Sequence, residues 1–67
     1  MKTIKEAYGP YRLTITYKDH NYAQVTMENI AELKFPVIWS MGLNYEAANG
    51  ALELFKAIGY FDIMATA

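Results

Sequence analysis

Tyr11-Arg-Leu-Thr-Ile-Thr-Tyr17 and Tyr22-Ala-Gln-Val-Thr-Met-Glu28 are the two stretches that decide the fold. In the first, Tyr11, Leu13, Ile15 and Tyr17 point one way and Arg12, Thr14 and Thr16 the other. In the second, Ala23, Val25 and Met27 share one side. Strict alternation of this kind marks half-buried strands, and the branched and aromatic residues suit them. Lys18-Asp-His-Asn21 between them is rich in turn formers, so the pair reads as a β-hairpin. A two- or four-residue loop pairs Ile15 with Gln24 and mixes the faces. A three-residue loop of Asp19, His20 and Asn21 pairs Ile15 with Val25 and Leu13 with Met27. It also sets Arg12 opposite Glu28, Thr14 opposite Thr26 and Thr16 opposite Gln24, all good cross-strand partners. A one-residue slip undoes every pair, so the three-residue loop is expected. Asn21 supplies the left-handed backbone that such a loop needs.

The rest of the chain is placed around this hairpin. Met1 to Tyr8 is weakly patterned, an arm or a short edge strand, and Gly9-Pro10 breaks it from Tyr11. Asn29 with Glu32 three residues on has the form of a helix N-cap, so one helical turn is placed there. Phe35-Pro-Val-Ile-Trp-Ser-Met41 reads as a third strand ended by Gly42, with Phe35, Val37, Trp39 and Met41 on one face. Pro36 belongs at a strand end or an edge, because it lacks a ladder donor. Trp39 is read as core, with an interface anchor as the alternative.

Asn44 is placed as the cap of a helix from Tyr45 to Ile58, whose stripe is Ala48, Ala51, Leu52, Phe55 and Ile58. Gly50 inside that helix suggests close packing, since glycine costs about 1 kcal/mol against alanine there. Gly59 is the stop, and Tyr60 to Met64 reads as a short last strand. The fold class that follows is α+β, a single domain over residues 1–67. A small antiparallel sheet of about three strands, the β-hairpin first, packs on one C-terminal amphipathic helix.

The stretch Asn44-Tyr-Glu-Ala-Ala-Asn-Gly-Ala-Leu-Glu-Leu-Phe55, following two or three strands, resembles the C-terminal half of double-stranded RNA-binding domains. That family grips phosphates with lysines at the start of its last helix. Here those places hold Asn44, Tyr45 and Glu46, so the resemblance covers fold order and carries no RNA-binding expectation.

Composition narrows the function classes. A chain of 67 residues buries a modest core, and with no cysteine it has neither disulfides nor thiolate metal sites to staple it. Yet 54% of it is hydrophobic and 15% aromatic, so it folds and leaves apolar surface for a partner chain or a second copy. Six basic and seven acidic residues are spread without a stripe, which argues against nucleic-acid binding. The N-terminus has no apolar stretch of the signal-peptide kind, and the uncharged run Phe35 to Tyr45 is too short to span a membrane. A cytoplasmic, membrane-free protein is expected.

No residue pattern points to catalysis. His20 beside Asp19 has the form of an oriented base, but a water-exposed turn is the plainer setting. Glu28 and Glu32 supply too few oxygen ligands for a dedicated cation site. Ser40 is the sole serine and His20 the sole histidine, which leaves no triad. The four glycines are isolated and form no phosphate-binding loop. No enzyme, cofactor or metal is therefore expected.

The six tyrosines carry more weight, because tyrosine offers contact area at low entropic cost. Tyr8, Tyr11, Tyr22 and Tyr60 sit at or near element ends, where they either bind or rim a small core. The partner-binding residues expected are Arg12, Lys18, Tyr22, Gln24 and Tyr11, centred on the outer hairpin face. The first functional reading is a non-enzymatic protein-interaction module, a homodimer or the small member of a complex. A phage-type or mobile-element inhibitor of a host complex is the class it suits. The alternative is a single-stranded nucleic-acid binder that stacks bases on tyrosine.

Overall fold

A computed structural model describes residues 2–59. Four strands precede one helix: β1 (Lys2–Tyr8), β2 (Tyr11–Lys18), β3 (Tyr22–Asn29), β4 (Val37–Leu43) and α1 (Tyr45–Ile58). The strands form one antiparallel sheet in the order β1-β2-β3-β4. The fold is thus the α+β arrangement read from the sequence, with one more strand. The N-terminal stretch is not an arm but a full edge strand. Thr3↔Thr16, Ile4↔Ile15 and Lys5↔Thr14 lie in its register with β2.

The hairpin of β2 and β3 has the expected loop and pairing. Ile15↔Val25, Leu13↔Met27, Arg12↔Glu28, Thr14↔Thr26 and Thr16↔Gln24 all face each other, and Lys18↔Tyr22 closes the ladder around residues 19–21. His20 and Asn21 both take positive φ, 63° and 58°. Asn21 also accepts from the Tyr45 N–H at 3.0 Å, which ties the turn to the start of α1.

Leu13, Ile15, Ala23, Val25 and Met27 of the sheet and Ala48 and Phe55 of the helix make the buried core. Burying each of the larger side chains contributes about 1.5–3 kcal/mol. Tyr11, Tyr17, Trp39, Leu43 and Leu52 pack around it. The helix rests chiefly on β1, β2 and β3 rather than on β4. Asn44 caps it, its side chain accepting from Ala47 N–H at 2.7 Å. Gly59, at φ 76°, ends it by donating to Phe55 C=O at 2.7 Å. That end lies under Tyr8, whose ring meets Phe55 edge-on at 6.5 Å between centroids.

Several expectations need correction. Asn29 starts no helical turn. Its N–H donates to Pro36 C=O at 2.7 Å, its carbonyl accepts from Glu32 N–H, and its side chain accepts from Ala31 N–H, so it closes a loop. The strand around Trp39 begins at Val37 and runs through Gly42 to Leu43. Gly42 does not stop it, because the ring of Tyr22 covers the space where a side chain would stand.

Phe35 does not share Trp39's face. A register shift sets Glu28 opposite Val37 and Met27 opposite Trp39, with Ile38 as the extra residue. Such a bulge breaks the two-residue period. Trp39, Met41 and Leu43 therefore face the helix side, while Val37 is exposed and Phe35 stands outside the strand. Ile58 is exposed rather than core, one position from the αL stop. Gly50 has nothing within 4 Å of its Cβ position, so close packing does not explain it. The strand expected at Tyr60 to Met64 lies outside the described residues.

Candidate functional site

The outer face of the sheet gathers four of the five residues singled out from the sequence. Arg12, Lys18, Tyr22 and Gln24 all lie on it, with Thr14, Thr16, Thr26 and Glu28 beside them. Tyr11 points to the other side and packs, half-buried, against the core.

The polar groups of this outer face are largely engaged with one another. Arg12 Nη2 and Nε donate to Glu28 Oε1 at 3.2 and 3.4 Å. A pair this exposed contributes about 0–1 kcal/mol. Gln24 Nε2 donates to Ser40 Oγ at 2.9 Å, and Tyr22 O–H donates to Gln24 Oε1 at 2.8 Å. Thr26 and Ser40 hydroxyls bond at 2.8 Å. Lys18 Nζ stands 5.7 Å from the centre of the Tyr22 ring, within cation–π range.

The tyrosines are not assembled into one platform. Tyr22 lies on the outer face over Gly42. Tyr8 meets Phe55, and Tyr17 meets Tyr45 edge-on at 5.3 Å, both on the helix side. Tyr17 also donates to Asn49 Oδ1, and Tyr45 to Lys18 C=O.

His20 sits exposed in the β2–β3 turn, whereas Ser40 lies on the outer sheet face, bonded to Gln24 and Thr26. Among the described residues, no group of three or more His, Asp and Glu stands close enough to hold a metal ion, and no pocket is found. Every buried side-chain polar atom among them has a partner. No helix among them is long and apolar enough to cross a membrane.

The segment that the sequence reading missed is the β3–β4 connection and the start of β4. Leu33 is 92% and Phe35 82% exposed. Ile30, Val37 and Ile38 beside them are exposed as well. Together they make half of the large hydrophobic residues that the described surface presents, in nine consecutive positions. Scattered exposed apolar residues are ordinary, but five within nine consecutive positions are a concentration. Two features hold the segment out. Asn29 N–H to Pro36 C=O closes its base, and Ile30 N–H to Pro10 C=O at 2.8 Å ties it to the β1–β2 turn. Its signal in the sequence is apolar residues at 30, 33 and 35 that fit neither strand nor helix period ahead of Pro36.

The two edges of the sheet also differ. β1 carries Lys2, Lys5 and Glu6, whereas β4 has no charged residue in Val37–Leu43. Charge on an edge strand blocks pairing with other chains, and its lack invites it. Compared with known proteins, the chain matches no family model, no curated protein and no solved structure.

Proposed function

We propose that this chain is a small non-enzymatic protein-interaction module that binds a partner protein through the apolar segment Ile30–Ile38. The observation that carries this reading is the outward placement of Leu33 and Phe35, which contribute little to the core of their own chain. Aromatic and aliphatic anchors on a braced loop are what an interface needs at its centre. The hydrogen bonds at Asn29 and Ile30 hold the loop's base, so less order has to be gained on binding. The outer sheet face, with Arg12, Lys18, Tyr22 and Gln24, serves as the polar flank. A protein of this kind acts by occupancy, as an inhibitor of a larger complex would.

The test is affinity capture from the source lysate with and without nuclease treatment, wild type beside a Phe35→Ser variant. A stoichiometric protein retained by the wild type and lost with the variant is the expected result. Retention of nucleic acid in its place, sensitive to salt and to Tyr22→Ala, overturns the reading in favour of base stacking.

A further inference from the structure

Asn49-Gly50, in the middle of α1, carries an inference independent of any partner, because packing gives Gly50 no reason to be glycine. A side chain there would meet nothing within 4 Å. The position bears the entropy cost of glycine in a helix with no close contact in return. What the missing side chain does provide is access to the Gly50 backbone nitrogen. Before glycine, an asparagine side chain and the next backbone nitrogen approach each other with least obstruction. The chain has four asparagines, and the other three precede Tyr22, Ile30 and Tyr45, whose side chains crowd that approach. Asn49 and Gly50 are both exposed to water.

We propose that Asn49-Gly50 is a deamidation site that α1 holds closed and that reacts when the helix opens. The Gly50 nitrogen gives its proton to hydroxide and attacks Asn49 Cγ. The new N–C bond closes a succinimide ring, the Cγ–Nδ2 bond breaks, and Nδ2 takes a proton from water and leaves as ammonia. Water then opens the ring at one carbonyl or the other, giving aspartate or isoaspartate. No electron is transferred, and water is the sole co-reactant.

Two contacts hold the site closed. The helical ladder starts with Ala48 N–H on Asn44 C=O at 2.9 Å. Continued by two residues, it engages Gly50 N–H with Glu46 C=O, along the axis and away from Asn49 Cγ. Tyr17 O–H donates to Asn49 Oδ1, which anchors the side chain to β2. Opening of the helix releases both. Isoaspartate then adds a carbon to the backbone between Ala48 and Ala51, both buried. Ala48 loses the helical face it shares with Ala51 and Phe55. Aspartate in turn stands between Glu46 at i−3 and Glu53 at i+4, where like charges repel. The reaction thus turns a transient opening of α1 into a permanent one.

Incubation at mildly alkaline pH, with and without urea, tests this. Peptide mapping by mass spectrometry locates the conversion, and an isoaspartate-specific carboxyl-methylation assay identifies the product. In urea, Asn49 is expected to convert ahead of Asn21, Asn29 and Asn44, and Gly50→Ala to abolish that lead. In the folded chain, conversion at Asn49 is expected to be at least about tenfold slower, since opening costs free energy. Asn44→Ala, checked as folded by circular dichroism, removes the helix cap without touching the site. It is expected to raise the folded-state rate about fivefold, the change in open population that loss of a cap brings. The isoaspartate form, returned from urea, is expected to recover less helical circular dichroism than unreacted chain treated alike. No lead for Asn49 in urea, equal rates in folded and unfolded chain, a folded-state rate indifferent to Asn44→Ala, or full recovery of helix by the isoaspartate form each overturns the proposal.

Discussion

Gly50 and Gly59 sit in one helix and call for opposite outcomes on the same substitution. Gly50 lies mid-helix with open space where a side chain would stand. Gly50→Ala is expected to raise stability by about 0.5–1 kcal/mol, since alanine loses less backbone entropy on folding. Gly59 has φ 76°, and its Cβ position lies 2.3 Å from the Tyr8 ring. Gly59→Ala therefore strains the backbone and displaces Tyr8, and is expected to cost more than about 1 kcal/mol. Urea unfolding of the two variants reads both signs. Two stabilised variants, or two destabilised ones, would contradict the helix packing described. The stop at Gly59 could be read from sequence, because a helix end favours left-handed glycine. The open space at Gly50 could not, since only the folded chain shows whether a neighbour approaches.

At the scale of elements, the β2–β3 hairpin and α1 were legible for the same cause. Each has a clean period and a marked boundary. In the hairpin, register and loop length follow from matching Ile15 to Val25 and Leu13 to Met27, and no other loop satisfies both faces. In α1, Asn44 and Gly59 bracket the apolar stripe. Replacing the cap, Asn44→Ala, frees the Ala47 N–H and is expected to cost about 1 kcal/mol, read as a lower melting temperature. β1 was half legible: its apolar residues Ile4, Ala7 and Tyr8 do not alternate, and Glu6 and Lys2 fall on the helix side opposite Leu13 and Tyr17. β4 was misread at its start, because the bulge at Val37 and Ile38 leaves no composition signal of its own. The extrapolation of a two-residue period through it sent Phe35 to the wrong side.

At the scale of the molecule, the start of β4 also bears on where apolar side chains reach the surface. The sequence indicated a partner-binding surface through high apolar content and missing staples, and placed it on the outer hairpin face. The structure shows that face stitched by Arg12–Glu28, Gln24–Ser40 and Thr26–Ser40 contacts. Half of the large exposed apolar side chains among the described residues lie on Ile30–Ile38. An uncharged edge in Val37–Leu43 adjoins them, so loop and edge form one end and one side of the sheet.

The account stands on Leu33 and Phe35 lying outside the core, and urea unfolding of the double variant Leu33→Ser, Phe35→Ser at fixed protein concentration tests that most directly. The midpoint and slope of wild type are expected to be retained within about 0.5 kcal/mol, as for surface positions. A loss of more than about 2 kcal/mol, the range of large-to-small changes in a core, would mean that these side chains hold the fold together and would contradict the account.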